Sequence, residues 1–397
     1  MKHNWEYKRL GDICSIVGRI GFRGYTREDL VEKGNGAISL SPSNIIDGKL
    51  NFDDKVSYLS WEKYFESPEI MLAEGDVVFT KTASIGKCAL VKHLPVETTL
   101  NPQLVVLKNI QCDSSYLTYM LQDKRFQEAV LSKKGGTSIP TISQAFLGSL
   151  PVPVPPIETQ KQIVAELDKI NETIEDCREL LRNLDALAQS LFYDFFGDPN
   201  INPKDWEMRK FVDLCETFTD GDWIESKDQS SDGFRLIQTG NIGEGIYLDK
   251  SERSKFISAD TFYSLKCKEV FEGDILISRL PDPIGRACIL PKLPLRSITA
   301  VDCTIVRPKS CILPKFLLQY TLTDAYYNSL SSITKGATRK RVSRGNLGKV
   351  LIPVPPLELQ EKFAERIEQI EAQKKAVEST IAELQTLLDS RMDYWFN

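Results

Sequence analysis

The chain has 397 residues, 42% of them hydrophobic and 26% charged, with a net charge of −5, a globular composition with room for two or three domains. No run approaches the eighteen apolar residues of a membrane span, and the opening MKHNWEYKRL lacks the apolar stretch of a secretory signal. Membrane insertion and export are excluded on that reading, and a soluble cytoplasmic protein is expected.

Nine cysteines are scattered without a C-x-x-C pair, and only His3 and His93 are available as co-ligands, so no metal site is expected and the thiols read as reduced and mostly buried. The charge is unevenly spread. Residues 150–197 hold 4 Lys+Arg against 9 Asp+Glu, and 350–397 hold 5 against 9, which leaves the remainder of the chain mildly basic.

In residues 1–152, short β-rich runs such as AEGDVVFT (73–80) alternate with Gly, Pro and Asn turns, and 114–130 reads as helical, so an α+β domain is expected. Two loops in it carry donors suited to a polyanion. TKTASIGK (80–87) offers Thr80, Lys81 and Ser84, and KKGGTSIPTIS (133–143) offers Lys133, Lys134 and Thr137 beside glycines that permit close backbone approach.

PVPPIETQKQI follows from Pro153. Each proline biases its predecessor toward extended geometry, and Glu158 suits the first turn of a helix. Beyond it Ile163, Leu167, Ile170, Ile174, Cys177, Leu181, Leu184, Ala188, Leu191 and Phe195 keep a 4-3 spacing, the signature of a coiled-coil seam over residues 153–198.

Residues 199–352 repeat the first domain. Trp206-Glu207 echoes Trp5-Glu6, Glu272-Gly273-Asp274 echoes Glu74-Gly75-Asp76, Asn241-Ile242 echoes Asn44-Ile45, and Ser343 and Leu347 echo Ser143 and Leu147. Its candidate DNA contacts are Gln238 and Asn241 in RLIQTGNIG, Arg279 at the position matching Lys81, and the cluster KGATRKRVSR with Lys335, Thr338, Arg339, Lys340, Arg341 and Arg344. Amides capping turns and a merely solvated charge run are the plainer readings of the same residues.

The second proline motif, PVPPLELQEKF from Pro353, opens a helix over 353–397 with Phe363, Ile367, Ile370, Lys374, Val377, Ile381, Leu384, Leu388, Arg391 and Trp395 in the matching phase. Two such seams of equal length can clasp each other antiparallel, with Lys374 and Arg391 reaching acidic neighbours or snorkelling. The alternative is two amphipathic helices, each packed on its own domain. No phosphate loop, H-E-x-x-H or nucleophile elbow is present, and Asn101-Pro102-Gln103-Leu104 lacks the second proline and the aromatic of an adenine methyltransferase motif, so no catalytic centre is expected.

The doubled order of mixed domain, PVPP turn and heptad helix resembles the specificity subunit of type I restriction-modification systems, over essentially the whole chain. That resemblance implies two target recognition domains, each reading one half of an asymmetric, bipartite site on double-stranded DNA, and an antiparallel helical spacer that fixes the gap. It further implies two modification subunits that bind S-adenosylmethionine and methylate adenine, and restriction subunits that use ATP and Mg, with no cofactor on this chain and no contact with membrane. A free-standing DNA-binding or scaffold protein, and an enzyme with a hidden active site, remain as rival readings.

Overall fold

The structure is a computed structural model that describes residues 5–53, 56–132, 140–333 and 340–396. The chain divides into two compact units, residues 1–177 with 380–397, and residues 178–379. The division falls inside both long helices, Ile157–Phe196 and Leu357–Phe396, so each unit owns one half of each.

In the first unit one four-stranded sheet runs in the order Ser15–Val17, Leu104–Lys108, Val77–Thr80, Cys88–Leu90, and a second in the order Thr98–Leu100, Gly36–Leu40, Ser57–Ser60, Leu30–Val31. Only Thr98–Leu100 and Gly36–Leu40 pair in parallel. The second unit repeats the plan with Cys215–Asp220, Cys303–Pro308, Ile275–Ser278 and Ala287–Ile289, and with Lys255–Ile257, Phe234–Ile237, Ser297–Thr299 and Glu269–Val270. Strands and short helices thus mix in both units, the α+β class expected.

The repeated Glu-Gly-Asp now has a cause. Gly75 and Gly273 sit at φ +91° and +88°, where a side chain is strained, and each opens a core strand. Asp76 then accepts from the Ala73 amide at 2.9 Å and pairs with Lys108 at 2.7 Å, while Asp274 accepts from Phe271 at 2.8 Å and from Arg307 at 2.7 Å. The stretch 114–130, read as one helix, is broken at Asp123 into Ser114–Gln122 and Lys124–Ser132. The Asp123 carboxylate there accepts from the amides of Arg125 and Phe126, an alternative to continuing the helix.

The proline motif joins strand to helix in the same way twice. Pro151–Val154 pairs antiparallel with Glu6–Arg9, and Leu351–Val354 with Glu207–Lys210. Pro155 and Pro355 follow, and the helix begins two residues later. Buried Gln160 accepts from the Asp113 amide at 2.8 Å and donates to Pro155 O at 2.7 Å; buried Gln360 accepts from Leu313 at 2.8 Å and donates to Pro355 O at 2.8 Å. Each amide ties the first turn of a long helix to the loop entering a head helix, at a net worth of about 1 kcal/mol per bond and more if one were left unmade.

In the first unit Ile163 and Leu167 of the first long helix share a core with Phe396, Leu388, Met392 and Trp395 of the second, and Trp395 stacks on Trp5 at 6.4 Å. The second unit packs Leu184, Ala188, Phe192 and Phe196 against Phe363, Ile367 and Ile370, with Phe316 at 4.7 Å from Phe196. The start of each helix therefore meets the end of the other, an antiparallel pairing. Ile170 and Ile174 are buried as expected, whereas Leu181, Val377, Ile381, Leu384 and Leu388 are half-buried, as a two-helix seam without a third layer allows.

At the C-terminal ends the expected phase slips by one residue. Phe192 and Phe196 are 1% and 2% exposed, whereas Leu191 and Phe195 are half-buried; Phe396 is likewise deeper than Trp395. A straight helix of 3.6 residues per turn drifts about 20° per heptad against a 3.5 repeat, and the head cores capture the residue that has rotated inward.

Both interrupting cations find carboxylates. Lys374 donates to Asp185 at 2.5 Å in the second unit, and Arg391 forks onto Glu166 in the first, where the Trp395 indole also donates at 2.9 Å. The Arg391 hydrogen bond, aided by the indole, holds the Glu166 carboxyl below its usual range. A carboxyl so depressed stabilises the fold above its unfolded pKa and loses that contribution as pH falls through the folded one. Glu166→Gln is expected to cost about 0.5–1 kcal/mol at neutral pH. In denaturant unfolding, the gap to the wild-type chain should close in acid; a gap constant with pH would assign the loss to packing.

Candidate nucleic-acid interface

The candidate loops that lie apart in the sequence meet in the structure. In the first unit Lys81 leaves the end of Val77–Thr80, its amide donating to Gln103 O at 2.9 Å and its carbonyl accepting from Ile142 at 3.0 Å. Thr82 bridges to Thr141, their hydroxyls 2.8 Å apart. The loop 80–87 thus abuts the last described residues of 133–143. Lys133, Lys134 and Thr137 themselves lie outside the described residues, and Ser84 is exposed.

The second unit brings the same pair of loops together. Arg279 N donates to Asp302 O at 2.9 Å and Val342 N to Arg279 O at 3.3 Å, placing 278–286 beside 340–344. Lys340, Arg341 and Arg344 are exposed there, while Lys335, Thr338 and Arg339 lie outside the described residues. Arg286 then ties in the third candidate, donating to Thr239 O at 3.0 Å and Ile242 O at 2.6 Å; its counterpart Lys87 donates to the matching Ile45 O at 3.3 Å. Each unit so gathers its donor loops at one corner of its core sheet.

Three expected contacts are spent inside the protein. Thr80 is 0% exposed at the end of a strand buried on both faces, with Val77 and Phe79 in one core and Val78 in another. Asn241 caps a turn, accepting from Gln238 N at 3.0 Å and donating to Leu248 O at 3.0 Å, so its amide edge is not free to meet adenine; Gln238 beside it is half-buried. Arg279, expected to reach guanine, is 3% exposed, with its guanidinium bonded to Val301 O at 2.6 Å and facing Asp220 and Asp302 at 3.3 and 3.9 Å. It braces the corner, and Asp302 in turn holds exposed Arg341 at 2.9 Å.

Lys81 occupies the matching place with different surroundings. The strand ends pair as Leu104↔Thr80 and Cys303↔Ser278, so Gln103 stands where Asp302 does, and the neighbouring strands set Gly18 against Asp220. No carboxylate pairs with Lys81 among the described residues, and half-burial lowers its ammonium pKa. Reading the two copies position by position would have exposed this contrast, because Asp220 and Asp302 are charged only in the second. An unpaired, half-buried cation next to neutral amides and hydroxyls can accept a phosphate or a base edge; a neutralised one cannot.

All nine cysteines are free thiols, and burial pushes Cys14, Cys88, Cys215, Cys288 and Cys303 up to about 12. They are packing residues rather than nucleophiles. Among the described residues no helix is long and apolar enough to cross a membrane.

The chain is similar to known proteins over most of its length. A family model described as the type I restriction modification DNA specificity domain matches residues 2–183 and again 203–386. The chain is 26% identical to the type I restriction enzyme MjaVIII specificity subunit of Methanocaldococcus jannaschii over 404 residues, 93% of this chain and 86% of that one. It is 21% identical to the EcoKI specificity subunit of Escherichia coli K12 over 96% of its own length and 85% of the relative's. In fold it is similar to a chain from a structure concerned with complex assembly of the type I R-M system (TM-score 0.57, 21% identity, 99% of this chain and 97% of that one). A type I restriction-modification S subunit from M. genitalium is also similar (TM-score 0.52, 15% identity, 100% and 97%).

The two cations should separate under substitution. Arg279→Met removes the buried cation that Asp220 and Asp302 face, and because those carboxylates are 25% and 29% exposed the cost is expected at about 2–3 kcal/mol, the low side of a buried pair. Lys81→Met should leave stability unchanged and weaken DNA binding. Denaturant unfolding and duplex titration of both variants check this; a stable Arg279→Met chain that loses DNA binding would make Arg279 a reader after all.

Proposed function

Because the chain belongs to the type I restriction-modification DNA specificity family, we propose that it is the DNA-recognition subunit of a type I restriction-modification complex. Each unit reads one half of a split site, and the paired long helices set the gap between the halves. The observation that carries this reading is one scaffold built twice with unlike corners: Lys81, Gln103 and Gly18 in one, Arg279, Asp302 and Asp220 in the other. Equal scaffolds present the same groove to DNA, and unequal side chains ask different bases of it, so the site is bipartite and asymmetric.

In this reading the chain supplies address and spacing and catalyses nothing itself. Two modification subunits, holding S-adenosylmethionine, dock on it and methylate adenine; restriction subunits bring ATP and Mg chemistry. The complex works in the cytoplasm, where the nine unpaired thiols stay reduced. The outward faces of the long helices carry the negative charge of the chain and lie on segments that need not touch DNA, which suits them to a protein partner.

Methylation-aware sequencing of the host genome with and without this gene tests the proposal. A split, non-palindromic methylated motif should vanish with the gene. Retention of every modified motif, together with elution of the chain alone when it is expressed with its neighbouring genes, would favour a free-standing DNA-binding scaffold.

A further inference from the structure

The second unit holds a polar cavity of about 300 Å³, lined by Arg235, Gln238, Thr239, Gly240, Lys250 and Arg253 among others, with no carboxylate in its lining. At roughly 30 Å³ per water that is the volume of about ten waters, room for an oxyanion and part of its solvent shell. One wall is the 238–241 turn, which Arg286 joins to the donor loop 278–286, so the cavity adjoins the candidate interface.

Its cations are not equivalent. Arg235 is 7% exposed in its side chain and is spoken for, donating to Asp249 at 2.5 Å beneath the Tyr247 ring. Lys250 and Arg253 are exposed, and neither has an ion-pair partner among the described residues. Gly240 leaves the floor open: a Cβ there would meet only the Lys250 ammonium, at 3.5 Å. Two free cations, an amide, a hydroxyl and bare backbone converge on one hollow.

Among the described residues the first unit presents a different lining at the same place. Strand register sets Ile38 opposite Thr98 and Tyr58 as Arg235 is set opposite Ser297 and Phe256, so an apolar residue replaces the arginine. Asn44 donates to Asn51 O as Asn241 does to Leu248 O, and two residues on stands exposed Asp53 where the second unit has Lys250. Ser41-Pro42-Ser43 replaces Gln238-Thr239-Gly240. Where the second unit offers Lys250 to an anion, the first offers the Asp53 carboxylate.

We propose that this cavity is a seat for one backbone phosphate of DNA, carried by the second unit alone. The inference rests on the function proposed above and adds to it that the two heads grip the duplex unequally. A lysine and an arginine around open backbone hold a phosphodiester without reading its base, which fixes the register of the neighbouring readers.

The test uses the assembled complex and duplexes bearing the genomic site. Neutralising one phosphate contact should lower the slope of log K against log salt by about 0.9. Lys250→Gln with Arg253→Gln is expected to give that loss, with about tenfold weaker binding at low salt and an unchanged preference between matched and mismatched sites. Gln at Lys292, an exposed lysine of the same unit outside the cavity lining, should leave the slope as it was. An unchanged slope in the double variant, or an equal drop for Lys292→Gln, overturns the seat. So does a melting temperature that inorganic phosphate raises in the wild type but not in the double variant while the DNA slope stays put, since the hollow would then hold free phosphate only. If the unaltered complex shows no site preference, it is the proposed function that fails, whatever the variants do.

Discussion

The structure depends on a covalent hinge made stiff by one amide. In both copies a strand of the head runs straight into a long helix through consecutive prolines, and Gln160 and Gln360 brace the junction alongside the head cores that bury Ile163, Leu167, Phe363 and Ile367. Each carboxamide is buried, and each bonds at once to the proline turn ahead of its helix and to the head it must follow. Proline alone sets the backbone angle, but it donates no hydrogen bond and holds nothing across the joint. These two side chains pin the entry of each helix to its head, and that is a physical reason for one chain to write PVPPxExQ twice.

On that repeated frame the two heads diverge in charge rather than in shape. The exchange of Gln103 for Asp302 and of Gly18 for Asp220 turns an available cation into an internal strut. The exchange of Asp53 for Lys250 does the reverse at another corner. Changes of this kind cost the fold little, since they sit on turns between strands whose registers are fixed by buried residues. They change what each head can touch by one or two full units of charge at a time.

Much of this was legible in the sequence because repetition shows which residues a scaffold needs. The seam positions Ile163, Leu167, Phe363 and Ile367 are buried as their spacing implies, and the repeated Gly-Asp pair marks the same turn in both units. The errors share a cause. Arg279, Thr80 and Asn241 were assigned outward because their loops are polar, yet the partners that draw them inward, Asp220, Leu248 and the core sheet, are brought near only by strand pairing. The slip from Phe195 to Phe196 came from applying an ideal heptad to a helix whose ends are packed by a globular core. Lys250 and Arg253 went unnoticed since they form no run; folding gathers them.

The way the chain is partitioned also bears on the order in which it matures. Residues 178–379 form a contiguous body that can close as soon as they have left the ribosome, whereas the first head waits for residues 380–396 to deliver Leu388, Met392 and Phe396 to its core. The head made first is thus finished last. Until then the core around Ile163 and Leu167 is missing the share that Leu388, Met392 and Phe396 supply, so the early head matures only through a distant part of the same chain.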